Sequence, residues 1–295
     1  MEAIQLQKVK HTPSSSKIKK QYDALLGLEN QKQFLLSNLR MILDKKGFSK
    51  WLKEYHPNGL GFLGEHTKRS PLIILSGDVG CGKTELANLI GTPLAELLKE
   101  NVQVFSTPSD LRGSGRVGEI SARITQTFRT IQEELDAETG ILIMDEADDV
   151  ASSREEDQQH REDKAGVNAL IKELDRLEKS NKKVAVLFIT NRSAAMDPAI
   201  LRRASIEIHF ERPTKAILSE IVDHILNDLS IKAESKAEIV DALFRTDVPF
   251  TFSDVFRRIL PQGLSLAWQG NKSFDKELLL KVINQTTPSP KFNQS

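Results

Sequence analysis

The stretch Gly77-Asp78-Val79-Gly80-Cys81-Gly82-Lys83-Thr84 decides the fold. It fits the pattern G-x-x-x-x-G-K-[ST]. It stands directly after the apolar run Pro71 to Ser76 and before a helical pattern from Thr84 to Leu98, the strand–loop–helix setting in which such a loop cradles phosphates. Its glycines let successive backbone N–H groups and the following helix N-terminus face an anion. Lys83 is placed to reach the β and γ phosphates of ATP, and the Thr84 hydroxyl to ligate Mg²⁺. Gly77, Asp78, Val79, Gly80, Cys81, Gly82, Lys83 and Thr84 are therefore the candidate nucleotide-binding residues. Cys81 is the chain's one cysteine. Its oxidation would block the loop, but no second cysteine is present to resolve it.

Short apolar runs recur on either side of this loop. Pro71 to Ser76, Val102 to Ser106, Ile141 to Asp145, Val184 to Thr190 and Ile206 to Phe210 are each separated by enough residues for a helix, which predicts an α/β domain with a five-stranded parallel sheet. The third run ends in Asp145-Glu146, two carboxylates at the strand edge where parallel sheets bind ligands. Asp145 is the expected Mg²⁺ residue, acting through water, and Glu146 the group that polarises the attacking water. The fourth run ends in Asn191, a neutral amide suited to orienting water beside the γ-phosphate. After Pro213 the strand signal gives way to amphipathic helices at Ile217 to Leu229, Lys236 to Leu243, Ser253 to Leu266 and Lys276 to Ile283. The expected organisation is a flexible basic tail over 1–20, a large α/β domain over 21–212, a small all-helical domain over 213–286 and a disordered tail over 287–295.

Composition narrows the function. Forty-one basic residues balance 41 acidic ones, so the whole chain lacks the positive field on which phosphate-driven nucleic-acid binding depends. The longest apolar stretches are strand-sized, far below the ~18 residues that span a bilayer. A lone cysteine and the start MEAIQLQKVK, with no apolar core of a leader, point to a cytoplasmic chain. Lys8, Lys10, Lys17, Lys19 and Lys20 near the start read either as a solvated arm or as a contact for a partner.

These motifs together resemble the AAA+ ATPases from Tyr22 to about Thr286. Leu26-Gly27-Leu28-Glu29 with Lys32 looks like the segment that packs on adenine, which adds Leu26 and Gly27 to the nucleotide site. Asn191 corresponds to sensor 1. Asp197-Pro-Ala-Ile-Leu-Arg202-Arg203 resembles the arginine-finger segment, and the resemblance implies that Arg202 and Arg203 complete a neighbouring subunit's site, within a homo-oligomeric ring of six. Arg203-Ala-Ser-Ile206 followed by a strand and Pro213, and the segment Ser253 to Trp268, are similar to the ATPases that remodel HORMA-domain proteins, the pachytene-checkpoint group and its bacterial relatives. Two departures stand out. Only residues 1–20 precede the ATPase, which matches a compact bacterial form. The sensor 2 position, two residues after the serine, holds Val255, with Arg257 and Arg258 beyond it; Arg258 is the candidate that would contact nucleotide.

The resemblance implies a hydrolase that couples ATP turnover to protein remodelling. Gly113-Ser-Gly-Arg116-Val117-Gly118-Glu119 occupies the place of the family's pore loop, with Arg116 and Val117 where most unfoldases carry an aromatic. The charged stretch Arg154 to Lys164 reads either as a second pore loop or as a solvated surface loop. The implied partner is a HORMA-domain protein bound to a nucleotide cyclase, in antiphage signalling by cyclic oligonucleotides. The rival reading is an ATP switch acting on nucleic acid, of loader or initiator type; the zero net charge and the absence of an appended helix-turn-helix weigh against it. A nucleotide-gated scaffold without turnover would not need Lys83, Asp145, Glu146 and Asn191 together.

Overall fold

The computed structural model describes residues 4–61, 69–108, 111, 118–135, 138–151, 160–229, 231–245 and 248–291. By density of contacts the chain divides into two units. One comprises 1–22, 30–76 and 84–209, and the other 23–29, 77–83 and 210–295.

In the first unit β1 (Gln7–His11), α1 (Ser16–Asp23), α2 (Glu29–Leu43) and α3 (Lys45–Tyr55) precede β2 (Leu72–Gly77), which ends in the phosphate loop. Next come α4 (Lys83–Leu89), α5 (Gly91–Leu98), β3 (Val102–Ser106), α6 (Glu119–Glu134), β4 (Thr139–Met144), α7 (Asp148–Ala151), α8 (His160–Lys179), β5 (Val184–Ile189), α9 (Pro198–Leu201) and β6 (Ala204–Phe210). The sheet order is β1-β3-β4-β5-β2-β6, with β3–β4, β4–β5 and β5–β2 parallel. Strands β2, β4 and β5 are buried along their whole length, which explains their continuous apolar runs. Phe105, Phe128, Leu142, Phe188 and Leu174 lie in the core between sheet and helices.

Among the described residues the sheet has six strands where five were expected, and residues 7–11 are not a free tail. β1 pairs antiparallel with β3, from Gln7 opposite Ser106 to His11 opposite Val102. Of the lysines that suggested a solvated arm, Lys8 and Lys10 are instead the charges of an edge strand, and Lys17, Lys19 and Lys20 lie on α1. Lys8 pairs with Glu134 at 2.9 Å and Lys10 with Glu138 at 3.3 Å. His11 is buried, with its Nδ1 3.0 Å from the Thr92 hydroxyl; a Cβ on Gly91 would strike its ring.

The second unit contains α10 (Lys215–Asp228), α11 (Lys236–Leu243), a π-helical turn over Asp254–Ile259, α12 (Leu260–Gln269) and α13 (Lys276–Gln285). Its core joins Leu218, Val222, Ile239, Phe250, Val255, Ile259 and Val282. The periodicity of this segment predicts ordinary helix, where the structure has a π turn. Pro261 has no N–H to donate, and the Leu260 N–H reaches back five residues to the Val255 carbonyl. The expected tail also departs from the structure: Ser289 donates its N–H and hydroxyl to Asp254 at 3.1 and 2.7 Å. The unit boundary falls at Phe210, three residues before the expected one, and takes in 23–29 and 77–83.

Candidate active site

The phosphate loop is held from its own side of the chain. Gly77 adopts φ 125°, and a Cβ there would land on the Phe210 carbonyl oxygen. Gly80, at φ 73°, leaves space that a Cβ would close against the Thr251 hydroxyl at 2.8 Å and Ser253 Cβ at 2.9 Å. Its carbonyl accepts from the Ser253 N–H at 3.1 Å, so the loop is bonded to the start of the π turn. Asp78 accepts from the Val79 N–H at 2.9 Å through Oδ1, while its Oδ2 takes a 2.5 Å ion pair from Arg212 Nε. Val79 is exposed, Gly82 lies against Leu28, and Lys83 is buried, donating to the carbonyls of Gly77 and Asp78 at 2.8 and 2.7 Å. Leu26 packs on the helical core and Gly27 against Ile217, so this segment is continuous with the helical unit.

Burial pushes the Cys81 thiol up to about 12, with Asp78 adding to the shift. Almost no thiolate exists at neutral pH, and the side chain is fully buried. Burial and the raised pKa both work against oxidation of Cys81.

The carboxylate edge belongs to the first unit. Thr84 Oγ1 donates to Asp145 Oδ2 at 2.8 Å, and Asp145 Oδ1 accepts from the Glu146 N–H at 2.9 Å. Both carboxylates are exposed. Glu146 sits at φ 51°, a left-handed conformation that side chains rarely adopt. The Ala147 N–H bonded to the Ile189 carbonyl at 2.9 Å and the Asp149 N–H bonded to the Glu146 carbonyl at 2.9 Å hold it there. Asn191 is half-buried just past β5. Its neighbours fix that corner: the Thr190 hydroxyl donates to Asp148 at 2.7 Å and accepts from the Arg192 N–H at 2.8 Å. Neither Thr190 nor Asp148 was singled out in the sequence, although a threonine immediately before the sensor residue is a legible cue.

The remaining candidates separate. Arg202 is exposed after α9, whereas Arg203 forms a forked pair with Asp175 at 2.9 and 3.3 Å. The structure brings Arg258 to Asp254 at 2.6 Å, one helical turn away, so its guanidinium already serves the helical unit. Arg116, Val117 and 154–159 of the charged stretch lie outside the described residues. Two further residues escaped the sequence reading. Arg212 ties Asp78 to the carbonyls of Pro249 and Pro290, both at 2.8 Å. Asp254, fully buried, accepts from the Thr251 N–H, Ser289 and Arg258. Burial works to raise its pKa, but those donors, Ser289 foremost, outweigh it and hold the carboxyl below the usual range.

Among the described residues, no group of three or more His, Cys, Asp and Glu could hold a metal alone. Mg²⁺ does not require one, because it is usually held by one or two protein oxygens together with substrate phosphates. A glycine cradle with a buried lysine, and a hydroxyl joined to a carboxylate, are the donor set of a nucleotide-hydrolysing site. No helix among the described residues is long and apolar enough to cross a membrane.

Known proteins agree with this class. Residues 73–212 match the family model of the ATPases associated with various cellular activities. CD-NTase-associated protein 6 of Escherichia coli strain MS 115-1 is 36% identical over 282 residues, covering 91% of this chain and 90% of that one. A chain in the structure of the E. coli MS115-1 HORMA:CdnC:Trip13 complex superposes with a TM-score of 0.88 at 33% identity, covering 97% of each. A Rhizobiales Trip13 structure gives 0.72 at 28% identity, covering 96% of this chain and 98% of that one. The chain belongs to the AAA ATPases, in the group of CD-NTase-associated protein 6 and Trip13, and it is a nucleotide-binding ATPase.

Proposed function

We propose that this ATPase works as a cytoplasmic six-membered ring that uses Mg²⁺-ATP to open a HORMA-domain protein and dismantle its complex with a cyclic-oligonucleotide synthase, switching off antiphage signalling. The observation that carries this reading is the near full-length likeness, TM-score 0.88, to a chain in the HORMA:CdnC:Trip13 complex. Lys83 and the loop N–H groups would bind the phosphates. Thr84 and Asp145 would hold Mg²⁺, which neutralises charge on the phosphoryl group in transfer. Glu146 would take a proton from the attacking water, Asn191 would orient that water, and a guanidinium from the finger segment would act across the subunit boundary. Arg116 and Val117 would grip the substrate.

The test reconstitutes the ATPase with a complex of a HORMA-domain protein and a cyclic-oligonucleotide synthase and follows disassembly against ATP turnover. Disassembly driven by ATP, but not by a non-hydrolysable analogue, is the expected result. Arg116→Ala with Val117→Ala should then abolish it. A complex that persists through many turnovers overturns the reading. A salt-sensitive DNA affinity lost with Arg116 would favour the nucleic-acid switch instead.

A further inference from the structure

Arg202 and Arg203 are consecutive in the chain, yet their surroundings differ. Arg203 uses three guanidinium nitrogens: Nε and Nη2 donate to Asp175 Oδ1 and Oδ2 at 2.9 and 3.3 Å, and Nη1 donates to the Ala199 carbonyl at 3.1 Å. The paired fork is the geometry in which guanidinium and carboxylate hold each other most firmly. Asp175 lies on α8 beside Leu174, which is part of the main core. The other end of the segment is also anchored. The Asp197 N–H donates to the Ala151 carbonyl at 2.7 Å, and its side chain caps α9 through the Ala199 N–H at 2.8 Å. Arg202 lies between these anchors, exposed, and its guanidinium makes no hydrogen bond or ion pair among the described residues.

Serving a neighbour's phosphate would require Arg203 to break three bonds that fix its own segment. Arg202 can turn to an incoming anion without breaking any. We infer that Asp175 and Arg203 form an intrasubunit clamp that positions this corner, and that Arg202 is the guanidinium presented to a neighbouring subunit's nucleotide. The inference rests on the ring reading above and assigns within it a finger, Arg202, and two positioning residues, Arg203 and Asp175.

The deciding experiment exchanges the charges. Steady-state turnover, nucleotide affinity and sedimentation in ATP are measured for Arg202→Ala, Arg203→Ala, Asp175→Ala, the Asp175→Ala/Arg203→Ala double and the exchange Asp175→Arg/Arg203→Asp. Arg202→Ala should lose about 10³-fold in turnover with affinity unchanged, and should regain activity when mixed with Lys83→Ala subunits. Arg203→Ala and Asp175→Ala should each lose about 10- to 100-fold, the scale of a mispositioned catalytic group, with the double no worse than either single. The exchange should restore most of the loss, because a clamp works in either polarity and a finger does not. An exchange as inactive as Arg203→Ala, in protein that sediments normally, overturns the clamp. If the exchanged protein does not assemble, additive losses in the double overturn it. Full turnover by Arg202→Ala removes it as the finger. Failure of the ring reading registers separately, as monomeric sedimentation of Glu146→Gln protein saturated with ATP.

Discussion

The Thr84 hydroxyl donates to Asp145 Oδ2 at 2.8 Å, joining the residue after the phosphate-loop lysine to the carboxylate that follows the buried strand β4. Both atoms are hard oxygens of the kind Mg²⁺ takes, and each fixes the other's orientation at the proposed metal site. Asp145→Asn retains the shape but removes the negative charge that this residue offers the ion. Thr84→Ala removes the hydroxyl altogether. Each should raise the Mg²⁺ concentration that supports half-maximal turnover by about 10- to 100-fold. A Mg²⁺ titration of ATPase activity reads this directly, and unchanged curves would remove the pair from the metal site.

Glu146 carries the second carboxylate of that edge in a left-handed backbone held by its neighbours. A strained residue persists only where the surrounding bonds over-determine it, as at the corner of an active site. Glu146→Gln keeps volume and backbone but cannot accept a proton from water. Turnover should fall by about 10²- to 10⁴-fold while ATP affinity holds. The two are measured side by side, and retention of a tenth of wild-type turnover would end the assignment.

Arg212 is the bolt of the phosphate loop, with one guanidinium bound to Asp78 and to two carbonyls remote in sequence. The ion pair is nearly enclosed, so removing one partner leaves the other charge buried. Arg212→Ala should destabilise the protein by about 3 to 5 kcal/mol in chemical denaturation and weaken nucleotide binding through Asp78. Lysine should rescue little, since it offers a single point of donation where a planar fork is required. Stability and affinity both unaffected would show the pair to be incidental.

Legibility in the sequence followed the range of the forces involved. The loop from Gly77 to Thr84, the carboxylates after β4 and Asn191 after β5 were readable because contiguous residues set their geometry and the strands before them are buried on both faces. β1 was not, because an edge strand carrying lysines has the composition of a tail until Glu134 and Glu138, more than a hundred positions away, are brought beside it. The same holds for Arg203, whose partner Asp175 lies 28 positions earlier, and for Ser289, whose bond to Asp254 gives order to a stretch that its prolines suggested would have none. Arg258 shows the converse. Its partner is only four residues away, at a spacing that any helix pairs, so the aspartate preceding it was an available cue.

Asp254 makes the helical unit sensitive to acid in a direction that can be worked out. Its folded-state pKa lies below the ordinary value of 3.8, because hydrogen bonds from Ser289, Thr251 and Arg258 favour the ionised form more strongly than burial penalises it. Ionised Asp254 therefore stabilises the fold. That contribution is complete above the ordinary value and is lost as the pH falls from there through the folded value. Asp254→Asn keeps the shape, gives up the charge and offers weaker acceptance to the same donors. It should cost about 2 kcal/mol at neutral pH, the scale of hydrogen bonds to a charged group. The gap between wild type and variant should then narrow as the pH is lowered below 3.8. Chemical denaturation of both proteins across that window measures the gap at each pH. A gap that stays constant down to full protonation would mean that packing around Asp254, and not its charge, holds the π turn to the chain at Ser289.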